Sequence, residues 1–303
     1  TKKGGRYVFG QWVEGGSGDS GQRRSRKMQF EELDGRLWPE IIHYDNAIRK
    51  KQGASFTEFK NVKFEYQTRL IPKKRVGQFA VVYVINSNSK KKALRMFIIK
   101  KTDITSRYEK LARYFEQNKI WDSIESLTKF RFLPEEVQIE RNVTDAEGNS
   151  ELMPIKFPVI EMDWVEGKDL VEYVKDIFKD KQKMMSLSKQ FLKIIRDLEK
   201  HNIAHGDIHP GNIIIDSNKN MKIIDYDCVY IPDFKGDQSP EAGQDDFQHP
   251  SRLDPNIQFP KYDEKIDRFS ALVIYLSLRA IAEDYTIYDE KKSESILLGK
   301  NIY

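Results

Sequence analysis

The chain has 303 residues and a mass of 35.6 kDa, and 39% of its residues are hydrophobic, enough for one large core or two smaller ones. Lys and Arg exceed Asp and Glu by 51 − 47 = +4, and both signs are interspersed, so the charge gives no indication of nucleic-acid or membrane partners. The single cysteine, Cys228, excludes an internal disulfide framework and a cysteine-rich zinc site, and we expect a cytoplasmic protein.

The first 27 residues combine glycine with positive charge. They hold seven of the 17 glycines and seven Lys or Arg against two acids, with little to bury. We therefore expect a flexible or partner-ordered basic arm over residues 1–27. Residues 28–63 are predicted to form a helical extension, because Pro39 suits a first helical turn and Tyr44 and Ile48 follow near helical spacing.

From residue 64 to residue 100 the pattern becomes that of strands. "GQFAVVYVI" and "KALRMFII" are rich in β-branched and aromatic residues, and the turn-like "NSNSKK" between them predicts a hairpin. A helix is predicted over residues 104–120, with Tyr108, Leu111 and Phe115 on one side. "FPVIEMDWV" then predicts a return to strand.

The second half of the chain is mainly helical in its pattern. "EGKDLVEYV" predicts the start of a helix, and apolar residues at helical spacing from Leu187 to Leu198 predict another that leads into "HGDIHPGN" at His205. "ALVIYLSLRAIA", from Ala271, contains an Arg and is too short to span a bilayer. We predict a buried helix there.

Two acids and an amide occur in two short turns beside apolar runs. Asp207 and Asn212 lie five residues apart in a turn that contains Pro210, and "NIIID" should carry that turn on a strand. Asp225 follows "MKII", the predicted partner strand, so a hairpin would bring the three side chains together. Phosphoryl transfer needs such groups, because Mg²⁺ takes oxygen ligands and a carboxylate must face the attacking hydroxyl.

"HGDIHPGN" and "IIDYD" resemble the catalytic and metal-binding loops of the protein-kinase-like superfamily, and the interval 225 − 207 = 18 agrees with that family. The resemblance implies that Asp207 is the catalytic base, that Asn212 and Asp225 hold Mg²⁺, and that ATP is bound. It also implies an α+β bilobal fold. The N-lobe, over residues 64–162, would have a small antiparallel sheet and one helix, and the C-lobe, over residues 163–303, would be mainly helical and either minimal or truncated.

"EMDWVEGKDL" is similar to the hinge of the family. This similarity implies that Met162 is the gatekeeper and that the backbone of Asp163 and Val165 faces adenine. Asp169 would meet a ribose hydroxyl, and Ile214 would lie under the adenine.

"KRVGQFAVVYV" resembles a weakened glycine-rich loop that keeps Gly77 and Val82, although one glycine lets few backbone N–H groups approach phosphate. "KALRMF" resembles the strand that bears the phosphate-binding lysine of the family, with Ala93 over the base and Arg95 in place of the lysine. Arginine keeps the charge, but its planar fork is not interchangeable with an ammonium. Two acids of the 104–120 helix could pair with it: Glu109 and Glu116.

The catalytic loop departs from that of regulated protein kinases. Gly206 replaces the arginine that would receive an activating phosphate, so such activation is not expected. His209 and Asp227 resemble residues of small-molecule phosphotransferases such as aminoglycoside and choline kinases, and His209 would contact either the transferred phosphate or its own loop. "YDEKIDRFSALVIYLSL" resembles the buried helix of the large lobe, in which Asp267 would anchor the catalytic loop.

Three functions remain open at this stage. The leading prediction is an ATP- and Mg²⁺-dependent phosphotransferase acting on Ser or Thr hydroxyls, in which Asp207, Arg95 and His209 serve catalysis and a protein is the substrate or partner. A pseudokinase that binds ATP as a scaffold is the first alternative. A small-molecule kinase is the second. Neither nucleic acid nor membrane is an expected partner.

Overall fold

The computed structural model describes residues 6–8, 11–13, 35–49, 56–87, 90–100, 103–144, 148–241, 243–254, 256, 262–288 and 296–297. The chain forms two compact units. The first, called the sheet unit below, comprises residues 1–109 and 130–164. The second, called the helical unit, comprises residues 110–129 and 165–303. This mixed architecture, with strands first and helices later, confirms the predicted α+β fold class.

An antiparallel sheet of six strands forms the core of the sheet unit. Its strands are β3 (Lys63–Phe64), β6 (Lys74–Val76), β7 (Ala80–Ser87), β8 (Lys90–Phe97), β9 (Phe130–Thr144) and β10 (Ser150–Asp163). Their order is β3-β7-β8-β10-β9, and β6 also pairs with β7. Two small antiparallel pairs accompany the sheet: β1 (Arg6–Val8) with β2 (Gln11–Val13), and β4 (Tyr66–Thr68) with β5 (Ile71–Pro72).

The predicted hairpin is present, but its turn is shorter than the sequence indicates. The β7–β8 ladder runs from the Ala80–Phe97 pair to the Ser87–Lys90 pair, so "NSNSKK" lies mostly within the strands. The strands continue because paired backbone groups satisfy each other, whatever the turn propensity of the side chains. Residues 93–97 of β8 are all buried, so both faces of this strand are covered.

Helix α1 (Ile41–Arg49) occupies part of the predicted extension over residues 28–63, of which residues 28–34 and 50–55 lie outside the described part. Of the predicted basic arm, only β1 and β2 are described. Helix α2 (Ile104–Gln117) ends before the predicted residue 120, because Lys119 has a left-handed φ of 51° that separates it from α3 (Ile120–Ser123).

In the described part of the helical unit, four further helices accompany a small antiparallel sheet. The helices are α4 (Leu170–Ile177), α5 (Lys181–Lys200), α6 (Pro250–Leu253) and α7 (Arg268–Glu283). The strands are β11 (Gly167–Asp169), β12 (Ile213–Asp216) and β13 (Met221–Ile223), in that order.

Two details of this unit correct the sequence-based predictions. Residues 167–169, expected to begin a helix, form β11 instead, since Gly167 approaches Ile215 so closely that a Cβ would overlap the carbonyl oxygen of Ile215. Helix α7 is buried on one face only, because Leu272 and Leu276 are 54% and 46% exposed. Among the described residues, no helix is long and apolar enough to cross a membrane.

Candidate active site

The hairpin predicted for the acidic loops is confirmed. Ile213 pairs with Ile223 and Ile215 with Met221 in antiparallel register. The turn is stabilised by Asp216, whose Oδ1 accepts the amide hydrogens of Asn218 and Asn220, each at 2.8 Å. Such side-chain acceptance is a usual role of Asp in tight turns.

Asp207 and Asn212 are in direct contact at the start of this hairpin. Asn212 Nδ2 donates to the carbonyl oxygen of Asp207 at 3.0 Å and to Asp207 Oδ2 at 3.2 Å. The amide hydrogens of Asn212 therefore point to the loop, which leaves its side-chain oxygen as the atom able to accept a metal ion. The carbonyl oxygen of Asn212 accepts from Ile224 N at 3.1 Å, so the loop is bonded to the residue before Asp225.

Asp225 has an unusual backbone conformation. Its φ is 71°, in the left-handed region that Asp tolerates better than most residues, and its Oδ1 accepts from Asp227 N at 3.3 Å. A non-glycine residue in this region costs about 1 kcal/mol or more and occurs often where a side chain must be aimed at a ligand.

Asp267 is bonded to the backbone of the loop that precedes Asp207, the contact that the resemblance implied. Its carboxylate accepts the amide hydrogens of His205 and of Gly206, the latter at 2.7 Å. Burial raises the pKa of the Asp267 carboxyl group, and the neighbouring His205 ring and the two N–H donors oppose that rise. His205 Nε2 lies 3.0 Å from the carbonyl oxygen of Ile224, which joins the same loop to the segment that precedes Asp225.

The structure explains why glycine, and not the arginine of regulated protein kinases, occupies position 206. Its φ is +81°, and a Cβ at this position would overlap the carbonyl oxygen of Cys228. A side chain of any size is therefore excluded here by both backbone conformation and space.

His209 contacts its own loop. Its Nδ1 accepts from Gly211 N at 3.2 Å, and its Nε2 lies 3.6 Å from Asp207 Oδ2. Burial lowers the pKa of His209, so the ring is neutral near pH 7 and carries its hydrogen on Nε2, facing Asp207. A contact between His209 and phosphate stays a prediction.

The segment that contains Gln244 bonds the other carboxylate oxygen of Asp207. Gln244 N donates to Asp207 Oδ1 at 2.9 Å. Nearby in sequence, the buried Arg252 donates to Gln248 Oε1 and to Ser239 Oγ. These contacts join residues up to 37 positions apart, and no local pattern indicates them.

In the sheet unit, the residues predicted to line the adenine lie on β8 and β10. Ala93 and Met162 form a direct cross-strand pair, and both are buried. Asp163 is exposed and bonds Lys92 at 2.6 Å. Its predicted role, however, uses only the backbone.

Arg95 is buried at 7% exposure between Val82 and Ile160 of the neighbouring strands. Its guanidinium carbon lies 5.6 Å from the centre of the Phe97 ring, within the range of a cation–π interaction. The nearby loop of Gly77 is closed by a hydrogen bond from its amide to the carbonyl oxygen of Ala80 at 2.9 Å.

In the helical unit, Asp169 pairs with the buried Ile214 across β11 and β12. Asp169 also caps α4, because its Oδ1 accepts from Glu172 N at 2.8 Å. The cap uses one lone pair of Oδ1, so the carboxylate can still accept a ribose hydroxyl as predicted. Val165, whose backbone was predicted to face adenine, is half-buried just before β11.

The two acids considered as partners of Arg95 are both exposed on α2. Glu116 lies 3.8 Å from Lys129, and both side chains are at least 60% exposed, so this pair contributes little to stability. The pairing of Arg95 with Glu109 or Glu116 stays a prediction.

The side chains of Asn212 and Asp225, the predicted magnesium ligands, carry the oxygen atoms that Mg²⁺ prefers. Among the described residues, no three His, Cys, Asp or Glu side chains form a metal-binding group. Asn212 and Asp225 would supply two oxygen ligands, and Mg²⁺ commonly takes the rest from phosphates and water.

Comparison with known proteins identifies the family. The protein kinase domain model matches residues 75–299. Over 126 residues, 40% of this chain and 27% of the relative, the chain is 31% identical to the serine/threonine-protein kinase cds1 of Schizosaccharomyces pombe. It is 31% identical over 83 residues to the dual specificity protein kinase zakA of Dictyostelium discoideum, covering 26% of this chain and 10% of that one.

A third relative is the dual specificity mitogen-activated protein kinase kinase hemipterous of Drosophila melanogaster, 32% identical over 88 residues, 29% of this chain and 7% of the relative. The chain thus spans about a quarter or less of each of these three relatives. It belongs to the protein kinase domain family, which confirms the resemblance seen in the sequence. These matches support a phosphotransferase of the protein-kinase type.

Proposed function

We propose that the protein is an ATP- and magnesium-dependent phosphotransferase that phosphorylates Ser or Thr hydroxyls of a protein substrate. The observation that carries this proposal is the bonded set of Asp207, Asn212 and the backbone before Asp225. A scaffold has no chemical need for the side chains of Asp207, Asn212 and Asp225 together. The relatives include serine/threonine and dual specificity kinases, which supports the proposed acceptor class.

Asp207 is the proposed catalytic base. Its Oδ1 accepts from Gln244 N and its Oδ2 accepts from Asn212 Nδ2, so the plane of the carboxylate is fixed before a substrate arrives. A carboxylate fixed in this way can orient the hydroxyl of the substrate and take its proton as the bond to phosphorus forms. The neutral His209 beside Oδ2 adds an N–H dipole without a full charge.

Asn212 and Asp225 are the proposed ligands of Mg²⁺, with Asn212 using its side-chain oxygen. The ion would offset the negative charge on the ATP phosphates. Arg95 is proposed to steady the α and β phosphates, because a guanidinium can grip phosphate oxygens with two N–H groups. The adenine is proposed to contact three side chains and the hinge backbone. The side chains are those of Ala93, Met162 and Ile214, and the backbone is that of Asp163 and Val165.

A pseudokinase remains a second candidate because of Arg95. Arginine occupies the position of the usual lysine, and the preceding loop keeps only Gly77 as a glycine. A protein of this kind would bind ATP and transfer phosphate slowly or not at all.

The test is transfer of label from γ-labelled ATP, with Mg²⁺, to a generic protein substrate and, in parallel, to aminoglycosides and choline. Asp207→Ala and Asp225→Ala serve as controls. Label on Ser or Thr that disappears in both variants supports the proposal. Label on the small molecules alone would identify a small-molecule kinase. Thermal stabilisation by ATP without any transfer would instead identify a scaffold.

A further inference from the structure

The match to the kinase family begins at residue 75, so helix α1 lies outside the matched part of the chain. It nevertheless carries a carboxylate, Asp45, that is only 5% exposed. A buried carboxylate requires polar partners, because burying an unpaired charge is costly. The partners of Asp45 therefore indicate what α1 does in the sheet unit.

Asp45 bonds one residue from each strand of the hairpin that carries Gly77. Its Oδ1 accepts from the hydroxyl of Tyr83 at 2.7 Å, and its Oδ2 forms an ion pair with Lys74 Nζ. Lys74 on β6 and Tyr83 on β7 are themselves a cross-strand pair. The carboxylate of Asp45 thus binds β6 and β7 at one cross-strand pair. Lys74, the β6 member of that pair, lies three residues before Gly77.

The segment around α1 makes a second attachment, at the end of β8. Trp38 Nε1 and the hydroxyl of Tyr44 donate to the carbonyl oxygen of Phe97, at 2.7 and 2.6 Å. Phe97 pairs with Ala80, the residue whose carbonyl closes the Gly77 loop. The attachment point is also two residues beyond Arg95 on the same strand.

We propose that α1 is a positioning element for the nucleotide-binding strands and that Asp45 is a positioning residue for the Gly77 loop. The inference rests on the proposed function, since it assigns α1 to the ATP site of that function. Residues 77–79 connect β6 to β7. Release of Asp45 would let β6 and β7 shift, and the loop would then meet ATP in several arrangements instead of one.

The experiment measures KM for ATP, KM for the protein substrate and kcat in Asp45→Asn and in Tyr83→Phe. Asp45→Asn keeps the shape of the side chain and removes the charge that pairs with Lys74. Tyr83→Phe removes one hydroxyl only. We expect each variant to raise KM for ATP, by about tenfold for Asp45→Asn and about threefold for Tyr83→Phe, with KM for the protein substrate unchanged.

Glu136→Gln is the matched control. Glu136 is another buried carboxylate of the sheet unit, and it accepts from the amides of Glu58 and Phe59 rather than from the hairpin. Its loss should lower the melting temperature without moving KM for ATP. An equal rise of KM in Glu136→Gln, or no rise in a folded Tyr83→Phe, would overturn the proposal.

The same variants separate this inference from the proposed function. If the wild-type protein binds ATP without transfer, the proposed phosphotransferase fails, and the role of α1 is then measured as a rise in the Kd for ATP. If the wild-type protein transfers phosphate and the Asp45 and Tyr83 variants match it in KM for ATP, the inference alone fails. A wild-type protein without ATP binding would contradict both.

Discussion

The amide of Gln244 bonds the carboxylate of Asp207 across 2.9 Å, and the residue before it, Gly243, has a φ of +81°. A Cβ on Gly243 would lie 2.8 Å from Asp207 Oδ1 and would overlap the side chain of Gln248. The glycine is therefore needed both for its backbone conformation and for space beside the proposed base.

Gly243→Ala should consequently lower kcat by about tenfold or more, because a small displacement of the carboxylate weakens proton transfer. KM for ATP should stay within about twofold, since the displaced group does not bind nucleotide. Gly236→Ala is the matched control, as Gly236 has a φ of +92° and no atom near its Cβ position. Steady-state kinetics in which both variants behave alike would contradict the role given to Gly243.

Gly206→Ala should reduce the free energy of unfolding by roughly 2–4 kcal/mol. Two effects contribute to this loss: the strain of a left-handed alanine and the overlap of its Cβ with the carbonyl oxygen of Cys228. Gly148→Ala, at a φ of +88° with open space around it, should lose only the strain, about 1 kcal/mol. Urea denaturation measures both. Equal losses in the two variants would show that the contact with Cys228 has no effect.

The proposed acidic site could be predicted from the sequence because its residues are close in the chain and lie on a hairpin. Apolar runs on either side of the "DSNKN" turn indicate the two strands, and the pairing of Ile213 with Ile223 follows from them. The strand-like pattern of β7, β8 and β10 was equally clear. Periodicity is a local signal, and it succeeds where the contacts are local.

Other contacts could not be predicted, because they depend on how distant segments pack. Gln244 reaches Asp207 from 37 residues away, and Asp45 reaches Tyr83 from 38. The end of α2 was also missed, since the left-handed φ of Lys119 has no signal in a lysine side chain. Glycine or asparagine would have been the usual indication.

Arg95→Lys and Arg95→Met test the phosphate-binding role of Arg95. Lysine keeps the positive charge but not the planar fork, so the Kd for ATP should rise by only about threefold. Methionine keeps an unbranched apolar stem and removes the charged fork, and the Kd should rise by about tenfold or more. Calorimetric titration with Mg·ATP measures both. An unchanged Kd in Arg95→Met would exclude Arg95 from the nucleotide site.

Stability should fall in mild acid because of His43. Burial and the neighbouring Arg141 lower the pKa of His43 below its ordinary 6.5, and its Nδ1 accepts from Glu40 N at 3.0 Å. The unfolded chain therefore takes up a proton first as the pH falls through 6.5, and the folded state loses stability until its own lower pKa is reached.

His43→Gln should make the free energy of unfolding less dependent on pH below about 6.5, because the titrating group is gone. Urea unfolding at a series of pH values from neutral to mildly acidic measures this dependence. The same slope in His43→Gln and in the wild-type protein would assign the acid sensitivity to other groups.

The central claim is that Asp207 acts as the base of a phosphoryl transfer. Single-turnover transfer from γ-labelled ATP, with ATP binding measured in the same samples, tests it most directly in the wild-type protein and in Asp207→Asn. We predict that Asp207→Asn binds Mg·ATP within about twofold of the wild-type affinity and transfers at least about 100-fold more slowly. Transfer at the wild-type rate by the folded, ATP-bound variant would contradict the claim.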